Sequence, residues 1–449
     1  MVFIHGGGFI EGTGILEWGV GPHFFIEYGV LMVSINYRVG PFGFMSTGDD
    51  VMPGNIGLKD QILALQWIQK NIKYFGGDPE KVTIFGQSAG GASVSYLLLS
   101  PLAQGLFRAA IQESGSAINP WAYQRDQVEI TYQTAALLNP EFETNRNSTE
   151  LLKFLQSVPA KDLDHASYNL TRKYEESAGN IQLSKGFYYT PVIEHEHTNA
   201  LLTKQQYVAY ENGNFTKVPV LIGFNAEESL FMLGRTLHRT LKAYDENPNF
   251  LVPFDMHVKN LTTLIEIGGK IKKFYSPDKN LEDNKLAGIQ YHSTQDFDRA
   301  VIKQAELQAP YTPVYFYYFT YSGILGNNPK SLNGSGAVGH GEEMNYIFNK
   351  WLSVDLPDNS DFSKFPEEDV LVHYRFMSIF TNFAKELNPT PRKEDVLQNI
   401  TWPVVEKGKF HYVEIGKDLT VHDSIPKSEV YNFWNELYDT YAEKPYDTF

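Results

Sequence analysis

The pentapeptide Gly86-Gln87-Ser88-Ala89-Gly90, read with its flanks, constrains this chain more than any other feature. Ahead of it, Lys81-Val82-Thr83-Ile84-Phe85 is β-branched and follows the turn Gly76-Gly77-Asp78-Pro79, the pattern of a short buried strand. Behind it, the stretch from Gly91 to Leu99 is small and apolar and reads as a helix. A strand that turns sharply into a helix around G-x-S-x-G lifts the serine hydroxyl clear of the sheet, because glycines permit the turn where a Cβ would clash. Ser88 is therefore the candidate nucleophile. The pentapeptide alone is short enough to arise by chance in a chain with 36 glycines, so the case depends on what else the chain carries.

A chain of 449 residues, 42% hydrophobic and 20% charged, can bury a large core. Its net charge of −15 and pI near 5.3 argue against nucleic acid or an anionic membrane surface as a partner. With no cysteine, disulfides, thiolate nucleophiles and cysteine-based metal sites are excluded. No apolar run reaches the ~20 residues that span a bilayer. Thirty phenylalanines and 27 tyrosines suit an apolar pocket and equally a large core. Met1-Val2-Phe3-Ile4 reads as the interior of a strand, so an upstream segment with the earliest strands is expected, and a signal peptide would lie there too.

Strand and helix patterns alternate through the first half, which predicts βαβ units and a mostly parallel sheet within a single domain over 1–449. Expected strands are 2–4, 30–36, 81–85, 109–111, 218–222 and 312–319. Leu58, Ile62, Leu65, Ile68 and Ile72 recur at helical spacing, and Gly76 stops that helix. Two long, less regular segments, about 116–216 and 229–311, contain helical stretches such as 149–155. They are expected to lie above the sheet as insertions that wall a pocket.

A second glycine motif, His5-Gly6-Gly7-Gly8-Phe9, follows the first expected strand. Bare glycine backbone brings N–H groups close to a developing oxyanion, as the HGGG motif of lipases and esterases does together with the residue after the nucleophile. Gly7, Gly8 and Ala89 are the candidate oxyanion-hole donors. His195-Glu196-His197 has two imidazoles but no third ligand at suitable spacing, and reads as surface.

The motifs taken together resemble those of the type-B carboxylesterase family, which includes cholinesterases and juvenile hormone esterases, with an insect-like flavour. Alongside the two glycine motifs stand Asn36-Tyr37-Arg38, Gly54-Asn55-Ile56-Gly57-Leu58-Lys59-Asp60-Gln61, Phe75-Gly76-Gly77-Asp78-Pro79, Ser114-Gly115-Ser116, Gly223-Phe224-Asn225-Ala226-Glu227-Glu228 and Gly339-His340-Gly341-Glu342-Glu343. The resemblance implies an α/β-hydrolase fold and a Ser-Glu-His triad in the chain order Ser88, Glu228, His340. It selects Glu228 over its neighbour Glu227, places Trp121 and Phe9 in the substrate pocket, and sets Ser114 near the triad. Ala337 stands where the family has glycine ahead of the histidine.

The implied reaction is hydrolysis of small to medium apolar carboxylic esters through an acyl-enzyme, with no metal or cofactor. A catalytically silent cholinesterase-like binding or adhesion protein, or an ester and organophosphate scavenger, is the alternative. Six N-x-S/T sequons, at Asn147, Asn169, Asn214, Asn260, Asn333 and Asn399, favour a secreted glycoprotein over a cytoplasmic protein.

Overall fold

Eight strands form one sheet: β1 (Val2–Ile4), β2 (Val33–Ile35), β3 (Thr83–Gln87), β4 (Ala109–Glu113), β5 (Val220–Asn225), β6 (Val314–Phe319), β7 (Tyr412–Ile415) and β8 (Leu419–His422). Their order is β2-β1-β3-β4-β5-β6-β7-β8, and every pairing is parallel except the β7–β8 hairpin. The computed structural model describes residues 1–15, 20–178, 186–326, 332–348 and 361–449.

The central strands are apolar on both faces, as a parallel sheet covered by helices on either side requires. Alternate side chains enter separate cores. Ile4, Ile84, Ala110 and Val220 join one cluster, while Phe3, Phe85, Ile111 and Leu221 join the other. Helix Ile56–Asn71 buries Leu58, Ile62, Leu65 and Ile68, the predicted spacing, and ends through a 3₁₀ turn at Gly76 with φ 82°. The 109–111 prediction extends to Glu113, and the 30–36 prediction narrows to Val33–Ile35, with the remaining residues outside any regular element.

The two long segments hold helices, among them Gln127–Ala136, Ser148–Ser157, Leu261–Tyr275 and Arg299–Gln308. Asn147 starts the second by accepting N–H bonds from Thr149 and Glu150 at 3.1 and 3.2 Å. No strand was expected at β7 and β8, and no helix at Glu367–Glu386, which packs Phe376, Phe380 and Phe383 into the second core. Among the described residues no helix is long and apolar enough to cross a membrane.

Backbone crowding at the carboxyl ends of β1 and β3 fixes the functional end of the sheet. A Cβ built on Gly86 would lie 2.6 Å from the Ile4 carbonyl oxygen, and one on Gly90 would lie closer still. Gly269, inside helix Leu261–Tyr275, has open space where its Cβ would be. Gly90→Ala is therefore expected to destabilise the protein by about 3 kcal/mol or more, or to prevent folding. Gly269→Ala is expected to be neutral or to gain up to about 1 kcal/mol. Thermal melts of the two variants check the contrast.

Candidate active site

Ser88 sits between β3 and helix Ala89–Leu99 with φ 59° and ψ −125°, a conformation that non-glycine residues rarely adopt. Three contacts hold it there. The Ser88 N–H donates to the Glu113 carbonyl at 2.8 Å, and the Ser88 carbonyl accepts from Ala92 N–H at 2.9 Å. The first glycine loop supplies the third, since a Cβ on Gly6 would lie 2.7 Å from the Gln87 carbonyl and 3.1 Å from Ser88 Cβ. Ser88 is half-buried, whereas Gln87 and Ala89 on either side are buried.

The predicted oxyanion donors lie at this same corner. Gly7 and Gly8 have φ 102° and 61°, and Phe9 continues the left-handed run at 63°. Among the described residues neither glycine N–H has a hydrogen-bond acceptor, and both residues are partly exposed. Ala89 opens its helix, so its N–H lacks an intrahelical partner and stands at the positive end of the helix dipole.

His340 and Glu228 meet across 112 residues of sequence: Nδ1 lies 2.6 Å from Glu228 Oε2. Glu228 is fully buried, and its other oxygen accepts from Ser114 Oγ at 2.6 Å and Asn225 N–H at 2.7 Å. Its carbonyl also accepts the His340 N–H at 3.2 Å. Glu227 turns the other way and accepts from Ser293 Oγ at 2.6 Å and Gly336 N–H at 3.3 Å. Only one of the two adjacent acids thus reaches the imidazole.

Ser88 Oγ and His340 are not hydrogen-bonded. His340 Nε2 instead faces the Gln87 side-chain Nε2 at 3.1 Å. With the amide donating, Nε2 carries the lone pair and the proton sits on Nδ1, facing Glu228. That is the tautomer a general base needs. Gln87 is the unspecified position of the G-x-S-x-G pattern, and nothing local in the sequence gave it a role.

Aromatic rings border the imidazole. Phe297 lies 4.5 Å from His340 and Phe231 6.1 Å, centroid to centroid. Phe297 is carried on a π-helical turn, Thr294–Asp298, a local insertion often found at functional sites. Trp121 packs against Phe297 and Phe187, each at 5.9 Å, and donates its indole N–H to the Asp296 carbonyl at 2.6 Å. Phe187 also covers Gly8, where a Cβ would meet its ring at 3.4 Å.

Phe9 and Trp121, both expected in the pocket, are almost wholly buried, with Phe9 6.4 Å from Trp121 and edge-on to Phe44. They form the back of this wall, and the exposed ring beside His340 is Phe231. His195 pairs with Asp50 at 2.6 Å and His197 with Glu194 at 2.8 Å, so each imidazole of that motif has its own carboxylate. Burial pushes the neighbouring Asp298 carboxyl up to about 8, against the pull of Lys427 at 2.6 Å.

The two acids differ enough to be separated by substitution. Glu228→Gln is expected to lower kcat by something like 10⁴, because the amide no longer balances an imidazolium or enforces its tautomer. Glu227→Gln is expected to leave rate nearly intact and to cost about 1 kcal/mol of stability. Steady-state kinetics and melts on both variants check this.

Comparison with known proteins agrees with the geometry. The model of the carboxylesterase family matches residues 1–434. Esterase FE4 of Myzus persicae is 34% identical over 444 residues, covering 94% of this chain and 72% of that protein. A juvenile hormone esterase of Tribolium castaneum is 31% identical over 447 residues, with 94% and 71% covered. The crystal structure of juvenile hormone esterase from Manduca sexta with OTFP covalently attached superposes with a TM-score of 0.81 at 27% identity, covering 98% of this chain and 80% of that one. The chain therefore belongs to the carboxylesterase family, and it is a carboxylic ester hydrolase.

Proposed function

We propose that Ser88, His340 and Glu228 carry out this hydrolysis by acyl transfer on small to medium apolar esters. His340 Nε2 exchanges its Gln87 contact for the Ser88 hydroxyl and takes that proton as Oγ attacks the ester carbonyl. The electron pair of the C=O bond moves onto oxygen, and the N–H groups of Gly7, Gly8 and Ala89 bind the resulting oxyanion. When the tetrahedral species collapses, the C–O bond to the alcohol breaks and the imidazolium returns its proton to the departing alkoxide. Water then attacks the acyl-enzyme by the same route, releasing the acid and restoring Ser88.

Glu228 remains ionised throughout and balances the imidazolium. The observation that carries this reading is the 2.6 Å contact between His340 Nδ1 and a buried Glu228 beside a serine held at positive φ. The rings of Phe231, Phe297 and Phe187 favour an apolar acyl or alcohol group over a charged one. All six sequon asparagines are exposed, which supports a glycosylated, secreted protein.

Ser88→Ala is expected to reduce kcat toward a short-chain aryl ester by about 10⁶, with folding unchanged. Across a series of acyl chain lengths, kcat/KM of the wild type is expected to rise from acetyl to medium chains. Near-normal hydrolysis by the alanine variant contradicts the serine mechanism, and a preference for charged acyl groups contradicts the substrate class.

A further inference from the structure

Behind the histidine, one row of residues crosses four strands. Gln87, Glu113, Gly223 and Tyr317 are successive register partners on β3, β4, β5 and β6. Register partners in a parallel sheet point to the same face, here the one that carries Phe85, Ile111, Leu221 and Tyr315 two residues earlier. Gly223 offers no side chain, and the Tyr317 ring occupies the space where its Cβ would stand, next to Glu113. From the histidine loop, Glu343 reaches the same layer and accepts from the Asn225 amide on β5.

Glu113, Glu343 and Tyr317 are all fully buried. Among the described residues, both oxygens of Glu113, Oε1 of Glu343 and the Tyr317 hydroxyl have no hydrogen-bond partner. Two carboxylates cannot satisfy each other, because each can only accept. Unpaired buried charges are also costly, and two of them here would join the charge of Glu228 around one imidazole. A single proton resolves the conflict by turning one acid into a donor.

We propose that Glu113 and Glu343 share one proton, so that the pair holds a single negative charge behind His340 and acts as a positioning pair for it. The proposal rests on the esterase reading of the same site. Burial, then the Glu343 charge, pushes the Glu113 carboxyl up. Burial, then the Glu228 charge, pushes the Glu343 carboxyl up, against the pull of Asn225 and His340. The other titratable groups facing the pair are Glu228, His340 and Tyr317, among the described residues. Glu343 therefore feels the imidazolium that forms during turnover, while Glu113 is coupled to it through Glu343.

The test compares wild type, Glu113→Gln, Glu113→Leu and Glu343→Gln by infrared difference spectroscopy at neutral pH and by the pH dependence of kcat/KM for an aryl ester. A shared proton predicts a carbonyl band of an un-ionised carboxylic acid in the wild type that Glu113→Gln removes. Glu113→Leu removes the donor and is expected to lower kcat about tenfold, and Glu113→Gln, whose amide donates to Glu343, restores most of that loss.

Glu343→Gln removes the carboxylate that interacts directly with His340 and leaves any remaining charge on Glu113, which does not. Imidazolium is then harder to form, so the acid limb moves to lower pH by about one unit, whereas Glu113→Gln moves it by much less. Failure of Glu113→Gln to remove an acid band, or a limb shift in Glu113→Gln equal to that in Glu343→Gln, overturns the proposal. If Glu113→Leu does not fold, the two glutamine variants carry the test. The infrared arm does not depend on turnover, so a wild type that hydrolyses no ester would overturn the esterase reading and leave this one still decided by its spectrum.

Discussion

The site depends on a contact between backbones. The elbow around Ser88 presses against the end of β1 and the first glycine loop so closely that Gly6, Gly86, Gly90 and Gly115 have no room for a side chain. That contact sets the elbow against the loop that carries Gly7 and Gly8, and helix Ala89–Leu99 opens at the same corner. It also maintains Ser88 in a backbone conformation costing of order 1–3 kcal/mol, which only a rigid surround can sustain. The serine and the proposed donors for its oxyanion are thus fixed by one packing event in the sheet, before any side-chain chemistry enters.

His340 completes the site from a distant part of the chain, and its surroundings are unusually acidic. Glu228 touches it, while Glu343, Glu113, Glu227 and Asp298 lie in the layers around it, all buried. Each acid meets its charge differently. Glu228 accepts two hydrogen bonds on one oxygen and lies against the imidazole through the other, Glu227 takes a serine and a backbone N–H, and Asp298 is paired with Lys427. The division leaves Glu228 as the acid whose charge is aimed at the ring.

What was legible in the sequence was whatever short-range chemistry dictates. The elbow, the two glycine motifs and the helix stopped by Gly76 each follow from residues within a few positions of one another, and the structure forms them where the sequence predicts. The β7–β8 hairpin went unread although Tyr412-Val413-Glu414-Ile415 and Leu419-Thr420-Val421-His422 flank the turn residues Gly416-Lys417-Asp418. Helix Glu367–Glu386 likewise carries three acids in its first turn.

Other features lie beyond any local reading. Which of Glu227 and Glu228 reaches His340 is settled by the 3₁₀ turn that begins at Glu228. The approach of Gln87 to His340, and the row from Glu113 to Tyr317, depend on strand register between segments that are far apart in the chain. The π-helical turn that presents Phe297 has no sequence signature of its own.

The central claim is that one corner of the sheet supplies the nucleophile, the base and the oxyanion donors together. A crystal structure of the protein after reaction with an aryl phosphonate tests it most directly. The account predicts a bond from phosphorus to Ser88 Oγ, the phosphoryl oxygen within hydrogen-bond distance of the N–H groups of Gly7, Gly8 and Ala89, and His340 Nε2 turned from Gln87 toward the adduct. Phosphorus on another residue, or a phosphoryl oxygen directed away from those three amides, would contradict it.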